Sequence, residues 1–205
     1  MVNDLLTTIV LKVIGDKTIV RINDVWVAVN EIQFGYNRAK VLEVLQALGF
    51  EKRHVMLYDR KGRSSTLTCY VRGEFNTEDK PLIGPIIKNN ELNQRFAREF
   101  LKDLKDRFIK EQLPAALKID PPFFDLNEVD GKLTFFFTRE KLRKILSLTW
   151  YTEGKITRNG ILILARTIGQ LSEDFYFRKN TYFKNAANEN RARIEDKLIY
   201  QYTFK

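Results

Sequence analysis

Leu92, Phe96, Phe100, Leu104 and Phe108 recur every four residues, joined by Leu101 and Ile109, and form the clearest apolar stripe in the chain. This spacing predicts an amphipathic helix from Glu91 to about Gln112, with its apolar side against a core or a second helix. On either side the pattern changes. Residues 9–14 and 18–22 are rich in β-branched residues and flank a polar break with Gly15, which predicts an N-terminal hairpin. Residues 25–32 fit two templates: the β-branched content argues strand, while Val25, Ala28, Val29 and Ile32 fit a short helix face. Asn37 is a candidate N-cap for a helix over 38–48, with Val41, Leu42, Leu45 and Leu48 on one stripe and Gly49 as its stop.

Residues 55–71 follow as a hairpin with the basic tip Arg60-Lys61-Gly62-Arg63. Two prolines and two glycines within 73–90 break both periodicities and mark a linker. Residues 123–126 and 133–137 flank Asp130-Gly131, a strong hairpin signal. Thr138 can cap a helix over 139–148 that buries Leu142, Ile145, Leu146 and Leu148. A turn with Gly154 leads to a second helix, 160–171, with Ile161, Leu164, Ala165 and Ile168 inward and Arg158, Asn159 and Arg166 outward. A second aromatic and basic hairpin, 174–184, and a charged closing helix, 188–199, complete the pattern. No internal repeat stands out in the residues, although strand–helix–hairpin order occurs in both halves.

The expected fold is therefore α+β: two small winged-helix-like units with β-hairpin wings, bridged by the long amphipathic helix. The expected division is 1–75, an N-terminal hairpin, helix and wing; 76–122, linker and long helix; and 123–205, a second such unit.

Charge narrows the function. Lys and Arg number 35 against 26 Asp and Glu, a net charge of +9 spread along the chain with a mild C-terminal bias. Such a surface favours polyanions through phosphate contacts and counterion release. The candidate contacts on the first unit are Lys52, Arg53, Arg60, Lys61 and Arg63. On the second they are Arg139, Arg143, Lys144, Arg158, Arg166, Arg178, Lys179 and Lys184. Helix 139–148, helix 160–171 and hairpin 174–184 have the order of a winged helix-turn-helix, in which the second helix enters the major groove. The connection from Thr149 to Asn159 is long for a tight turn.

Asp24-Val-Trp26-Val-Ala-Val-Asn30-Glu-Ile32, followed by Phe34-Gly-Tyr-Asn37, carries a resemblance over residues 9–72. It resembles the N-terminal DNA-binding domain of the phage and baculovirus antirepressor (BRO-like) family. Asn30-Glu31 stands where that family favours Asp, and Phe34-Gly35 where it favours Leu-Gly. The resemblance implies DNA binding by a phage or mobile-element regulator.

Two other classes remain open. Asp120, then Asp130 and Lys132, have the sparse order of a Mg²⁺-dependent restriction-type nuclease. Asp130-Gly-Lys132 is equally what a hairpin turn looks like. A protein–protein adaptor, or a homo-oligomer, would use helix 91–112. No cofactor or metal signature is present: His54 is the one histidine, Cys69 the one cysteine, and no Walker-type, Gly-x-Gly-x-x-Gly or Gly-x-Ser-x-Gly pattern occurs. Cys69 reads as a half-buried structural thiol. No run reaches membrane-span length and the N-terminus has no secretory pattern, so a soluble cytoplasmic protein with no membrane partner is expected.

Overall fold

The computed structural model describes residues 4–58, 64–74, 87–110, 112, 124–129, 132–175, 182–185, 188–193 and 199–204. The fold is mixed α+β, and the chain divides into two compact units, Met1–Asn89 and Asn90–Lys205.

The first unit begins with α1 (Asp4–Ile14), strand β1 (Ile19–Val20), α2 (Ile22–Ile32) and α3 (Arg38–Ala47), and ends with β2 (Glu51–Tyr58) and β3 (Ser64–Val71). Its sheet is antiparallel with order β1-β3-β2, so the last strand lies between the other two. The expected N-terminal hairpin is corrected here: residues 9–14 are helical. Leu6, Ile9, Val10 and Ile14 are all buried and share one face at helical spacing, whereas Leu5 and Leu11 face out. The helical period becomes visible only when the window starts at Asp4, and packing of that face overrides the β-branched content. Residues 25–32 resolve the same way, because Ile22, Val25, Trp26 and Val29 are buried at i, i+3, i+4 and i+7.

Helix α3 keeps its expected ends. The Asn37 side chain accepts a hydrogen bond from the Lys40 amide. At its C-terminus the Phe50 amide donates to the Leu45 carbonyl and Gly49 sits at φ +83°, the left-handed cap glycine tolerates. Val41 and Leu45 are buried as expected and Leu42 and Leu48 are half-buried, while Val44 takes a core place instead. The β2–β3 ladder runs from Glu51↔Val71 to Tyr58↔Ser64, with its inner face closed by Val55, Cys69 and Val71.

The second unit starts at α4 (Asn89–Ile109), followed by the hairpin β4 (Phe124–Val129) and β5 (Lys132–Phe137). Next come α5 (Arg139–Leu146), which runs into a π-helical turn at Ser147–Tyr151, and α6 (Arg158–Leu171). Strands β6 (Glu173–Phe175), β7 (Tyr182–Asn185), β8 (Asn188–Arg193) and β9 (Ile199–Thr203) close the chain. The main sheet has order β4-β5-β9-β6, with β7 and β8 paired separately. Val129 faces Lys132 across the ladder, so residues 130–131 connect the two strands of the expected hairpin.

Two expectations fail in this unit. The hairpin 174–184 does not close on itself: β6 pairs with β9, and β7 pairs with β8. The closing helix expected over 188–199 is corrected too: Asn188–Arg193 form β8 and Ile199 opens β9, while residues 194–198 lie outside the described residues. Tyr200 and Phe204 are buried and Tyr202 is half-buried on the same alternating face, and Tyr200 stacks on its cross-strand neighbour Phe137. That period of two outweighs the helix-favouring Ala, Arg and Glu before it.

Leu92, Phe96, Phe100, Leu101 and Leu104 of α4 are buried, while the end of the stripe, Phe108 and Ile109, is exposed. Phe100 meets the edge of Trp150 at 5.2 Å and 88°. The Trp150 indole N–H donates to Asp103 at 2.8 Å, and Arg107 bridges Asp103 at 2.7 Å and Glu153 at 2.7 Å. The π-helical turn widens the backbone at the point where Trp150 points onto α4. No helix among the described residues is long and apolar enough to cross a membrane.

Candidate nucleic-acid interface

In each unit the third helix is set by a turn with a defined internal structure. Between α2 and α3 the organiser is Asn30, which is 1% exposed. Its Nδ2 donates to the carbonyls of Trp26 and Tyr36, at 2.9 and 3.1 Å, and its Oδ1 accepts from the amides of Gly35 and Tyr36, at 2.8 and 3.2 Å. The Trp26 indole donates to the same Tyr36 carbonyl at 2.9 Å. These bonds satisfy the polar backbone of a buried turn and so fix the angle at which α3 leaves it. Arg21 and Asp24 form a close two-pronged ion pair at the start of α2, which keeps the Arg21 guanidinium above its ordinary value.

Between α5 and α6 the turn is built differently. Gly154 at φ +72° and the Lys155 amide bonded to the Trp150 carbonyl end the π-helical turn. Ile156 is fully buried, and Thr157 caps α6 by accepting from the Gly160 amide at 3.1 Å. The expected long connection therefore shrinks to residues 152–157, since helical turns occupy both flanks.

The first turns of the helices differ in charge. Asp24, Glu91 and Glu140 lie in the first turns of α2, α4 and α5, as the helix dipole favours. Neither α3 nor α6 has a carboxylate there: α3 opens on Arg38 and Lys40, α6 on Arg158, and all three are exposed. A cation at a helix N-terminus works against the dipole, and an anion bound nearby would relieve it.

The predicted contacts fall into three groups. Lys52 and Arg53 are exposed on β2, with Arg53 paired to Glu51 at 3.4 Å. Arg139, Arg143, Lys144, Arg158 and Arg166 are exposed on α5 and α6. Within this group the Arg139 guanidinium donates to the Tyr200 hydroxyl at 2.8 Å, and Arg158 Nε donates to the Tyr151 hydroxyl at 3.3 Å. Arg60, Lys61, Arg63, Arg178, Lys179, Asp120 and Asp130 lie outside the described residues, and only the backbones of Lys184 (in β7) and Lys132 (in β5) are placed.

Arg38 and Lys40 are absent from the predicted set although α3 displays them. Their signal was the cap Asn37, which by itself marks both as first-turn residues of α3. Among the described residues no group of three or more His, Cys, Asp or Glu can hold a metal ion. Cys69 is fully buried, and burial raises its thiol above the ordinary value, so it packs rather than reacts. His54 is exposed on β2, 3.4 Å from the Thr68 hydroxyl. Comparison with protein-family models, curated proteins and solved structures gives no match.

Proposed function

We propose that this chain is a non-enzymatic nucleic-acid-binding protein, with duplex DNA as its polymer, built from two winged helix-turn-helix units in tandem. The observation that carries the reading is a repeated order. Each unit runs helix, strand, helix, helix, strand, strand, with the last strand between the other two: β1-β3-β2 in the first, β5-β9-β6 in the second. The second unit adds β4 at the sheet edge and the β7–β8 pair between β6 and β9. In such a unit the third helix faces the major groove and the final hairpin follows the phosphates.

The carboxylate-free, cationic openings of α3 and α6 fit that placement. So does the basic tip Arg60-Lys61-Gly62-Arg63 between β2 and β3, and so do Arg178, Lys179 and Lys184 between β6 and β9. Residues 9–72, with their antirepressor-like segment, fit it as well. On this reading the chain serves as a regulator or assembly component of a phage, plasmid or defence system.

The test is a binding titration of the full chain against duplex DNA, single-stranded DNA and structured RNA. It is run with and without Mg²⁺, and each probe is inspected for cleavage afterwards. Preferential binding to the duplex, with all probes intact, is the expected result. Preference for RNA, or Mg²⁺-dependent cutting that Asp130→Ala abolishes, would replace this function with another.

A further inference from the structure

The exposed residues of α6 are Arg158, Asn159, Leu162, Arg166 and Gln170. They stand at i, i+1, i+4, i+8 and i+12, which places them along one side of the helix. The whole helix, from Arg158 to Leu171, contains no carboxylate and no lysine. Its outward polar side chains are of the types that pair with base edges through two hydrogen bonds: arginine with guanine, asparagine and glutamine with adenine. Lysine, by comparison, acts on phosphate as a point charge.

In the middle of this polar side stands Leu162, 50% exposed. The core does not need it, because Leu164, Ala165 and Ile168 bury the opposite side of the helix. Helix α3 also has a leucine four residues past its opening arginine, Leu42, but that one is half-buried and its exposed neighbour is Glu43, whereas Leu162 stands open among Arg158, Asn159 and Arg166. An exposed leucine on such a face has one apolar partner among base edges, the thymine methyl group in the major groove. RNA lacks that methyl, and its A-form major groove is too deep and narrow for a helix to read.

We propose that α6 is the base-reading helix of this chain, and that Leu162 packs on a thymine methyl group between polar contacts from Asn159 and Arg166. This rests on the nucleic-acid function proposed above and names its substrate as duplex DNA with thymine under α6. Tyr151 is a positioning residue in this arrangement, its hydroxyl steadying the Arg158 guanidinium at the groove edge.

The experiment starts from the full chain and a random duplex library at moderate salt, enriching a bound site by repeated selection. Each thymine in that site is then replaced in turn by deoxyuridine, which removes only the methyl group, and affinities are measured for the parent chain, Leu162→Ala and Arg166→Ala. The expected result is one position at which deoxyuridine weakens the parent chain about fourfold, the worth of a single buried methyl. Leu162→Ala binds the thymine duplex about as weakly and no longer distinguishes the two bases at that position. Arg166→Ala keeps the discrimination while binding less tightly. Leu162 is exposed and alanine favours helix, so the variant keeps its core, which a thermal melt verifies.

If no sequence is enriched although duplex DNA binds, or if Leu162→Ala discriminates as the parent does, the base-reading role is overturned and duplex binding survives. If the full chain binds no duplex at all, both this inference and the function beneath it fall.

Discussion

Asn30 does for the first unit what a longer turn would otherwise need several residues to do. One amide side chain accepts from two backbone N–H groups and donates to two carbonyls in a site closed to water. Removing it leaves the Gly35 and Tyr36 amides without that acceptor. Asn30→Ala is therefore expected to lower the unfolding free energy by about 2–4 kcal/mol, read from urea denaturation; a loss below about 0.5 kcal/mol would mean the turn holds itself. In the second unit, Glu153 beside the turn is held by charge to Arg107 and Lys155. Burial pushes the Glu153 carboxyl up, but hydrogen bonds from Lys155 and Arg107 and the attraction of both cations outweigh it, so its pKa lies below the ordinary 4.5. A carboxyl lowered on folding contributes stability that is present above its unfolded value and lost as pH falls through the folded one. Glu153→Gln is thus expected to destabilise the chain at pH 7 and to differ less from the parent as pH falls below the ordinary 4.5 and through the lowered folded value. A stability difference independent of pH would show that the network contributes no charge pairing.

Among the elements, those that could be read directly were the ones whose signal is local. Helix α4 follows from a stripe of Leu and Phe at every fourth place, α3 from Asn37 and Gly49, and β4–β5 from Asp130-Gly131 with apolar flanks. The misreadings share a cause. For β9 the pairing partners β5 and β6 lie far along the chain, and for both α1 and β9 the deciding period begins just outside the window in which β-branched or helix-favouring residues dominate. The candidate site was readable in part for the same reason: Arg158 and Arg166 fall on a helix with a clear period, whereas Arg38 and Lys40 lie in the first turn that Asn37 marks and yet stand outside the expected set. At this scale the β2–β3 hairpin carries a direct prediction. Reversing Arg60, Lys61 and Arg63 to glutamate is expected to weaken binding to all duplex sequences alike and to reduce the salt slope by up to about 2–3 units. A slope equal to the parent's would remove this hairpin from the interface.

For the molecule as a whole, the repeated order matters more than any single contact. On the proposed function, two binding units on one chain would turn the second binding event into an intramolecular one, so affinity would gain without new contacts. Residues 72–88 connect β3 to α4, and at most about 60 Å of chain can be drawn from them, against roughly 34 Å for one turn of duplex. A duplex of three turns is accordingly expected to bind at least about tenfold tighter than one of a single turn, after correction for the number of registers. Equal affinities would mean that a single unit engages the polymer.

The central claim, that cationic surfaces of this chain are built to meet phosphate, is tested most directly by the salt dependence of full-length binding to duplex DNA. The account predicts that the logarithm of the association constant falls linearly with the logarithm of salt concentration, with a slope steeper than about −3, as several phosphate contacts require. Binding that is indifferent to salt, or absent at about 50 mM salt where such contacts are strongest, would contradict it.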